Sequence, residues 1–199
     1  MIPRHLLIAV GVMLLAVLAM GFYAGRMRGR AAQVEPAVAN AQPVAPPVSG
    51  PTERVTLYVA YDDPGILRSQ GAEIPLPSAR QQRAEELLRA LLAIYLSKDS
   101  PHPLGSGAEV RAVYLVTPGV AVIDLNSAFA NGHRSGVLEE ELTVTSMIQT
   151  LVANIPGILR VKFLVDGKDR ETLAGHADLS DFYDTGAVAL LVSQLQGGQ

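Results

Sequence analysis

His102, His133 and His176, with the carboxylates and serines near them, are the side chains of this chain best suited to acid–base or nucleophilic chemistry. Asp124, His133 and Ser135 fall within a dozen positions and have the residue types of an acid–histidine–serine system. None lies in a Gly-x-Ser-x-Gly turn, which would lift a nucleophile above a sheet. Asp124, followed by Asn126 and Ser127, reads instead as a cap on the turn leaving its strand, because such side chains bond nearby backbone amides. The three histidines are separated by loops and have no partner at i, i+4, so they read as surface or turn residues rather than metal ligands. In Gly175-His176-Ala177-Asp178 the glycine supplies backbone freedom and Asp178 caps the Leu179–Phe182 segment. Asn131–Gly136 places two glycines before a helix, where free amides can meet an anion. It lacks the lysine and Ser/Thr spacing of a phosphate loop and reads as a connector with a helix cap. Asp62 and Glu73 illustrate a carboxylate pair that could flank a glycosidic bond, though no spacing selects them. The expectation is therefore no catalytic residue, no cofactor and no metal.

Composition removes further classes. Sixteen basic against 19 acidic residues give a formal charge of -3, so there is no positive field to gather phosphates, and nucleic acid is not an expected partner. With no cysteine, disulfides, thiolate metal cages, cysteine nucleophiles and a lipid-modified N-terminal cysteine are excluded.

The elements that would position these residues begin after two unusual segments. Leu6–Gly25 is an uncharged run of twenty residues, long enough as a helix to span roughly 30 Å of hydrocarbon. Arg4 precedes it, Arg26, Arg28 and Arg30 follow it, and Phe22 and Tyr23 sit near its end. Residues 1–30 thus read as an uncleaved transmembrane anchor. A signal peptide is the competing reading, but its apolar region is normally about 7 to 15 residues and ends in a small-x-small site. Taken alone, the three following arginines would leave the rest of the chain cytoplasmic. Residues 31–53 are rich in Ala, Val, Gln and Pro and read as a tether that cannot bury enough surface to fold.

Residues 54–184 read as the folded domain. Val55–Tyr61 alternates as a strand and stops at Asp62-Asp63-Pro64-Gly65. After the loop at Pro75 and Pro77, Ser78 caps a helix to about Leu96, with Ala84, Leu87, Leu88, Leu91, Leu92 and Tyr95 on one face and Arg83, Glu86 and Arg89 on the other. Val110–Val116 and Val120–Leu125 form a hairpin about Thr117-Pro118-Gly119. A second helix over Ser135–Asn154 carries Leu138, Leu142, Thr145, Ile148 and Leu151 in one stripe. Leu159, Val161, Phe163 and Val165 alternate with Arg160 and Lys162 as a fourth strand with a wet face or an exposed edge. Asp166-Gly167 turns toward a short strand near Glu171–Leu173, and residues 185–199 form a C-terminal tail. The fold class is α+β: a mixed four-stranded sheet with two amphipathic helices packed on one face.

Val55-Thr56-Leu57-Tyr58-Val59, the run Val120–Phe129 (VAVIDLNSAF), Phe163-Leu164-Val165-Asp166-Gly167-Lys168 and Glu171–Ser180 (ETLAGHADLS) together resemble the GerMN domain of spore germination and sporulation proteins. The resemblance runs collinearly from about Arg54 to Tyr183. It implies a small α+β domain of bacterial envelope proteins, held by a lipid or a membrane helix and facing away from the cytoplasm, with no family catalytic residues to carry over. Lipoprotein members have a lipid-bearing cysteine; here the Leu6–Gly25 helix would do the anchoring, and one copy of the domain is present where some relatives have two.

The expected function is a non-enzymatic, membrane-anchored, extracytoplasmic module that docks an envelope protein or peptidoglycan, in a sporulation or germination setting. The alternatives are an envelope polymer hydrolase and a cytoplasm-facing tethered scaffold. The charged run Lys168-Asp169-Arg170-Glu171 reads as protection of an edge strand, or as a charge-selective docking edge.

Overall fold

The computed structural model describes residues 51–196, apart from Ser78 and Thr117. The anchor and almost all of the tether, as well as the cap assigned to Ser78, lie outside the described residues. Among those residues no helix is long and apolar enough to cross a membrane.

Strand β1 (Thr52–Tyr61) buries Val55, Leu57 and Val59, as its alternation predicts. At Gly65 (φ 83°) the chain reverses into a second strand, β2 (Ile66–Pro75), which pairs antiparallel along all of β1, Thr52 opposite Pro75 and Tyr61 opposite Ile66. The sequence pattern gives no strand here because the middle of β2, Arg68-Ser69-Gln70-Gly71, is exposed and polar. Its buried ends, Leu67 and Ile74, are too far apart to show an alternation.

The mixed four-stranded sheet is present with different membership. Its order is β3 (Val110–Val116), β4 (Val120–Leu125), β5 (Arg160–Val165) and β6 (Tyr183–Asp184). The β4–β5 pair is parallel and the others antiparallel. Strand β1 belongs instead to the separate two-stranded sheet, because its second edge is taken by three side chains and one loop carbonyl. The N–H groups of Thr56, Tyr58 and Ala60 donate to Asn154 Oδ1 (3.1 Å), Thr150 Oγ1 (2.9 Å) and Tyr95 Oη (2.9 Å), and that of Asp62 donates to Pro101 O (3.0 Å). Each alternate amide is satisfied without a neighbouring strand, which closes the edge.

Two long helices carry the core: α1 (Arg80–Tyr95) and, after the single-turn α2 (Ser127–Asn131), α3 (Val137–Asn154). The N-cap of α1 is Ala79, which makes no side-chain cap bond. Glu86, expected on the wet face, is buried and ion-paired to Arg89 one turn on. Helix α3 is buried on more than one stripe: ten of its eighteen residues are inside, while Leu138, at its first turn, is exposed. The expected inward and outward sets of β5 also change. Leu159 is 61% exposed, and Lys162 is buried because the backbone at Leu179 and Ser180 lies over its face of β5 and takes its ammonium group. Leu91, Ile148 and Phe163 lie in the core as expected.

Two segments differ further. Glu171–Leu173 forms no strand; only an isolated bridge joins Thr172 to Asp178. Residues 185–196 form helix α4 (Thr185–Gln196), which puts Val188 and Val192 into the core.

Candidate functional site

Asp124, His133 and Ser135 are not brought together. Asp124 is buried on β4, where it accepts the Gly167 N–H (2.8 Å) and pairs with Arg111 (3.1 Å). Burial raises its pKa, against the lowering effect of those two partners. The local cap assigned to it is made by Asn126, whose Oδ1 accepts the Phe129 N–H at the start of α2 (2.8 Å). Asp124 instead clasps the Asp166-Gly167 turn, whose residues have φ values of 51° and 72°. Asp62 and Glu73 stand apart as well: Arg54 is Glu73's partner across the hairpin, so eight residues of extended chain, about 26 Å, separate the two levels. That is far beyond the separation of a glycosidase pair.

A different constellation forms at one end of β1. Asp62 Oδ1 meets His102 Nδ1 (2.5 Å), and Oδ2 accepts from Arg134 (2.9 Å). His102 Nε2 and His133 Nε2 each lie 2.6 Å from the one hydroxyl of Thr143, and His133 Nδ1 bonds Arg134 O (2.7 Å). The Thr143 hydroxyl also donates to Glu139 O (3.1 Å). From Asp62 to Thr143 the order is carboxylate, imidazole, hydroxyl, as in a nucleophile triad. Thr143 is only 1% exposed and faces two imidazoles, so the folded domain has no room for a carbonyl beside it.

Proton bookkeeping defines what the cluster can do. Carboxylate and carbonyl accept only, so Nδ1 of each ring carries hydrogen. Two neutral rings and one hydroxyl supply three hydrogens for five contacts, and protonating the rings supplies the rest. Burial opposes this and lowers the pKa of both histidines. The cluster continues through Ser146, which donates to Thr143 O (2.9 Å), to Tyr95, whose hydroxyl donates to Ser146 (2.9 Å).

The third histidine sits elsewhere. Glu140, fully buried on α3, accepts the N–H groups of Ala174 (2.9 Å), His176 (3.0 Å) and Ala177 (2.9 Å) on Oε2. Its Oε1 accepts Gly136 N–H (3.3 Å) and the His176 ring Nδ1 (3.0 Å). Burial alone would raise the Glu140 pKa, but these donors hold it at about 2. Gly175, at φ 125°, allows the loop to curl so that amides on both sides of it face the carboxylate. The Asn131–Gly136 connector thus offers an amide to the protein's own Glu140. Asp178 makes a local turn, accepting the Ser180 N–H (2.8 Å) and hydroxyl (2.6 Å). Ser135 Oγ is 3.4 Å from His176 Nδ1. Among the described residues no three His, Cys, Asp or Glu side chains converge as a metal site.

Residues 166–182 contain no helix or strand, only isolated bridges. Three buried ions hold them: Asp124 at Gly167, Glu140 at 174–177, and Lys162, whose Nζ donates to Leu179 O (2.8 Å) and Ser180 O (2.5 Å). Beside this loop lies an open groove of about 310 Å³, floored by Val144, Val188 and Leu191 and edged by Val137, Glu141, His176 and Asp178. Tyr183 lines it and donates its hydroxyl to Asp178 O (2.5 Å); burial, then the charges of Asp178, Glu141 and Glu140, push that hydroxyl's pKa up to about 12.

Sequence reasoning missed Thr143, Tyr95 and Glu140. The signal for Glu140 was present: with Val144, Met147 and Leu151 it forms a stripe at helical spacing, all buried.

A family model described as Germane, sporulation and spore germination, matches residues 56–171. Among solved structures, the tandem GerMN domains of the sporulation protein GerM from Bacillus subtilis match at 20% identity with a TM-score of 0.50, covering 67% of this chain and 46% of that one. The first GerMN domain of the same protein matches at 20% identity and a TM-score of 0.46, over 66% of this chain and 97% of that one. A Clostridium perfringens protein described as a lipoprotein matches at 20% identity and 0.45, over 70% and 91%. No curated protein matches.

Proposed function

The chain belongs to the Germane family of sporulation and spore germination, and on that premise we propose that it is a membrane-tethered, extracytoplasmic docking module of the cell envelope rather than an enzyme. One observation carries the docking reading. The hydroxyl with triad-like neighbours is enclosed, whereas an apolar groove walled by a long, charge-pinned loop is open. Anchoring is supported by the uncharged Leu6–Gly25 run and the arginines around it. An outward orientation is consistent with the tendency of a long C-terminal domain to translocate regardless of flanking charge.

Two measurements test this. Protease added to intact spheroplasts should digest the domain; full protection until lysis would place it in the cytoplasm. In the full-length protein, photo-crosslinking residues at exposed Val137, Val116 and Phe182 should give a discrete adduct from at least one position. No adduct at any of them refutes docking.

A further inference from the structure

The open polar groups of the groove are almost all hydrogen-bond acceptors. Glu141 has no hydrogen bond or ion pair among the described residues and stands beside the apolar floor. Asp178 uses one carboxylate oxygen on Ser180, and the Tyr183 hydroxyl is already donated to Asp178 O. The His176 ring is fixed by its Nδ1 bond to the buried Glu140 carboxylate, so its neutral form presents Nε2 as an acceptor. Thr145, also lining the groove, can do either. Lys162, the cation that acts on Asp178, is occupied by two carbonyls and Asp169.

Such a site repels a carboxylate- or phosphate-bearing wall polymer and suits a ligand with several N–H donors, positive charge and an apolar stem. Resting on the docking reading above, we propose that the groove is a socket for an arginine or lysine side chain flanked by apolar residues on a protein partner. The cationic head lies between Glu141 and Asp178 within reach of His176, and the neighbouring apolar residues cover Val144, Val188 and Leu191. An anionic wall polymer is the occupant this assignment excludes.

The test uses the full-length chain in zwitterionic-lipid nanodiscs, with empty nanodiscs as control. The fluorescent probes are capped Gly-Ser-Leu-Arg-Leu-Ser-Gly, the same peptide with glutamate for arginine, and an anionic peptidoglycan fragment. The arginine peptide should bind at least about tenfold more tightly than either other probe and weaken several-fold as salt rises. Glu141→Lys should weaken it about tenfold or more, and Glu141→Gln, which keeps shape and removes charge, about threefold or more. Equal binding of the arginine and glutamate peptides, tighter binding of the wall fragment, or indifference to both substitutions overturns the socket. If that happens while crosslinked adducts still form at Val116 or Phe182, docking stands and only the groove assignment fails.

Discussion

Replacing Glu140 with glutamine tests whether one buried charge fastens the 166–182 loop. The substitution keeps the volume, leaves an oxygen for the amides of Ala174, His176 and Ala177, and turns an NH2 group toward the Gly136 N–H. A carboxyl held from 4.5 down to about 2 is favoured in its charged form by roughly 3 kcal/mol, at about 1.4 kcal/mol per pH unit. The side chain is fully buried, so solvent screening does not discount that figure. Glu140→Gln should therefore cost about 3 kcal/mol, read as a fall in Tm of roughly 6–12 °C. The pH dependence follows from the depressed folded value. The stabilisation is complete above 4.5, declines as pH falls from there toward about 2, and is gone below it. Urea titrations of the two proteins should thus differ by the full amount at pH 7 and converge near pH 2. A loss under about 1 kcal/mol at pH 7, or a gap that persists at pH 2, would refute the cradle as an electrostatic clasp.

Thr143→Val removes the hydroxyl shared by His102 and His133 and leaves two buried ring nitrogens without it, so unfolding free energy should fall by about 2–4 kcal/mol in denaturant titration. Truncating the chain after Asp184 deletes α4 and with it the burial of Val188 and Val192, an expected loss of about 3 kcal/mol or more by the same assay, with dye-detectable apolar surface exposed on α3.

What the sequence made legible was what local periodicity controls. Strands β1, β3, β4 and β5 and the two long helices follow from patterns of two or of three and four residues, and the turns at Gly65 and Gly119 from their turn residues. Strand β2 was hidden because pairing with β1 holds an exposed polar segment extended. The place of β1 outside the four-stranded sheet was hidden too, since the residues that close its edge, Tyr95, Thr150 and Asn154, lie 35 to 98 positions away. The His102–Thr143–His133 cluster was unreadable for the same reason: its members come from two loops and a helix. Asp124 reads as a local cap in the sequence because its partner, Gly167, is 43 residues distant.

The side chains that most resembled catalytic groups are, in large part, fasteners of irregular backbone. A seventeen-residue segment without helix or strand must satisfy its amides and carbonyls by other means. Here an anion at each of two points receives amides, and a cation between two carbonyls supplies the donors. Each ion is costly to bury alone and stable only when the loop supplies its partners, so loop and ion specify each other. The consequence reaches the groove. Its loop-side wall, His176 and Asp178, is carried by backbone whose amides are bound to Glu140 and whose following carbonyls are bound to Lys162. A ligand entering there meets groups already ordered, and binding loses less to loop entropy than it would against a mobile segment. Releasing the clasp with Glu140→Gln should therefore weaken the arginine peptide even though Glu140 itself lies beneath the surface.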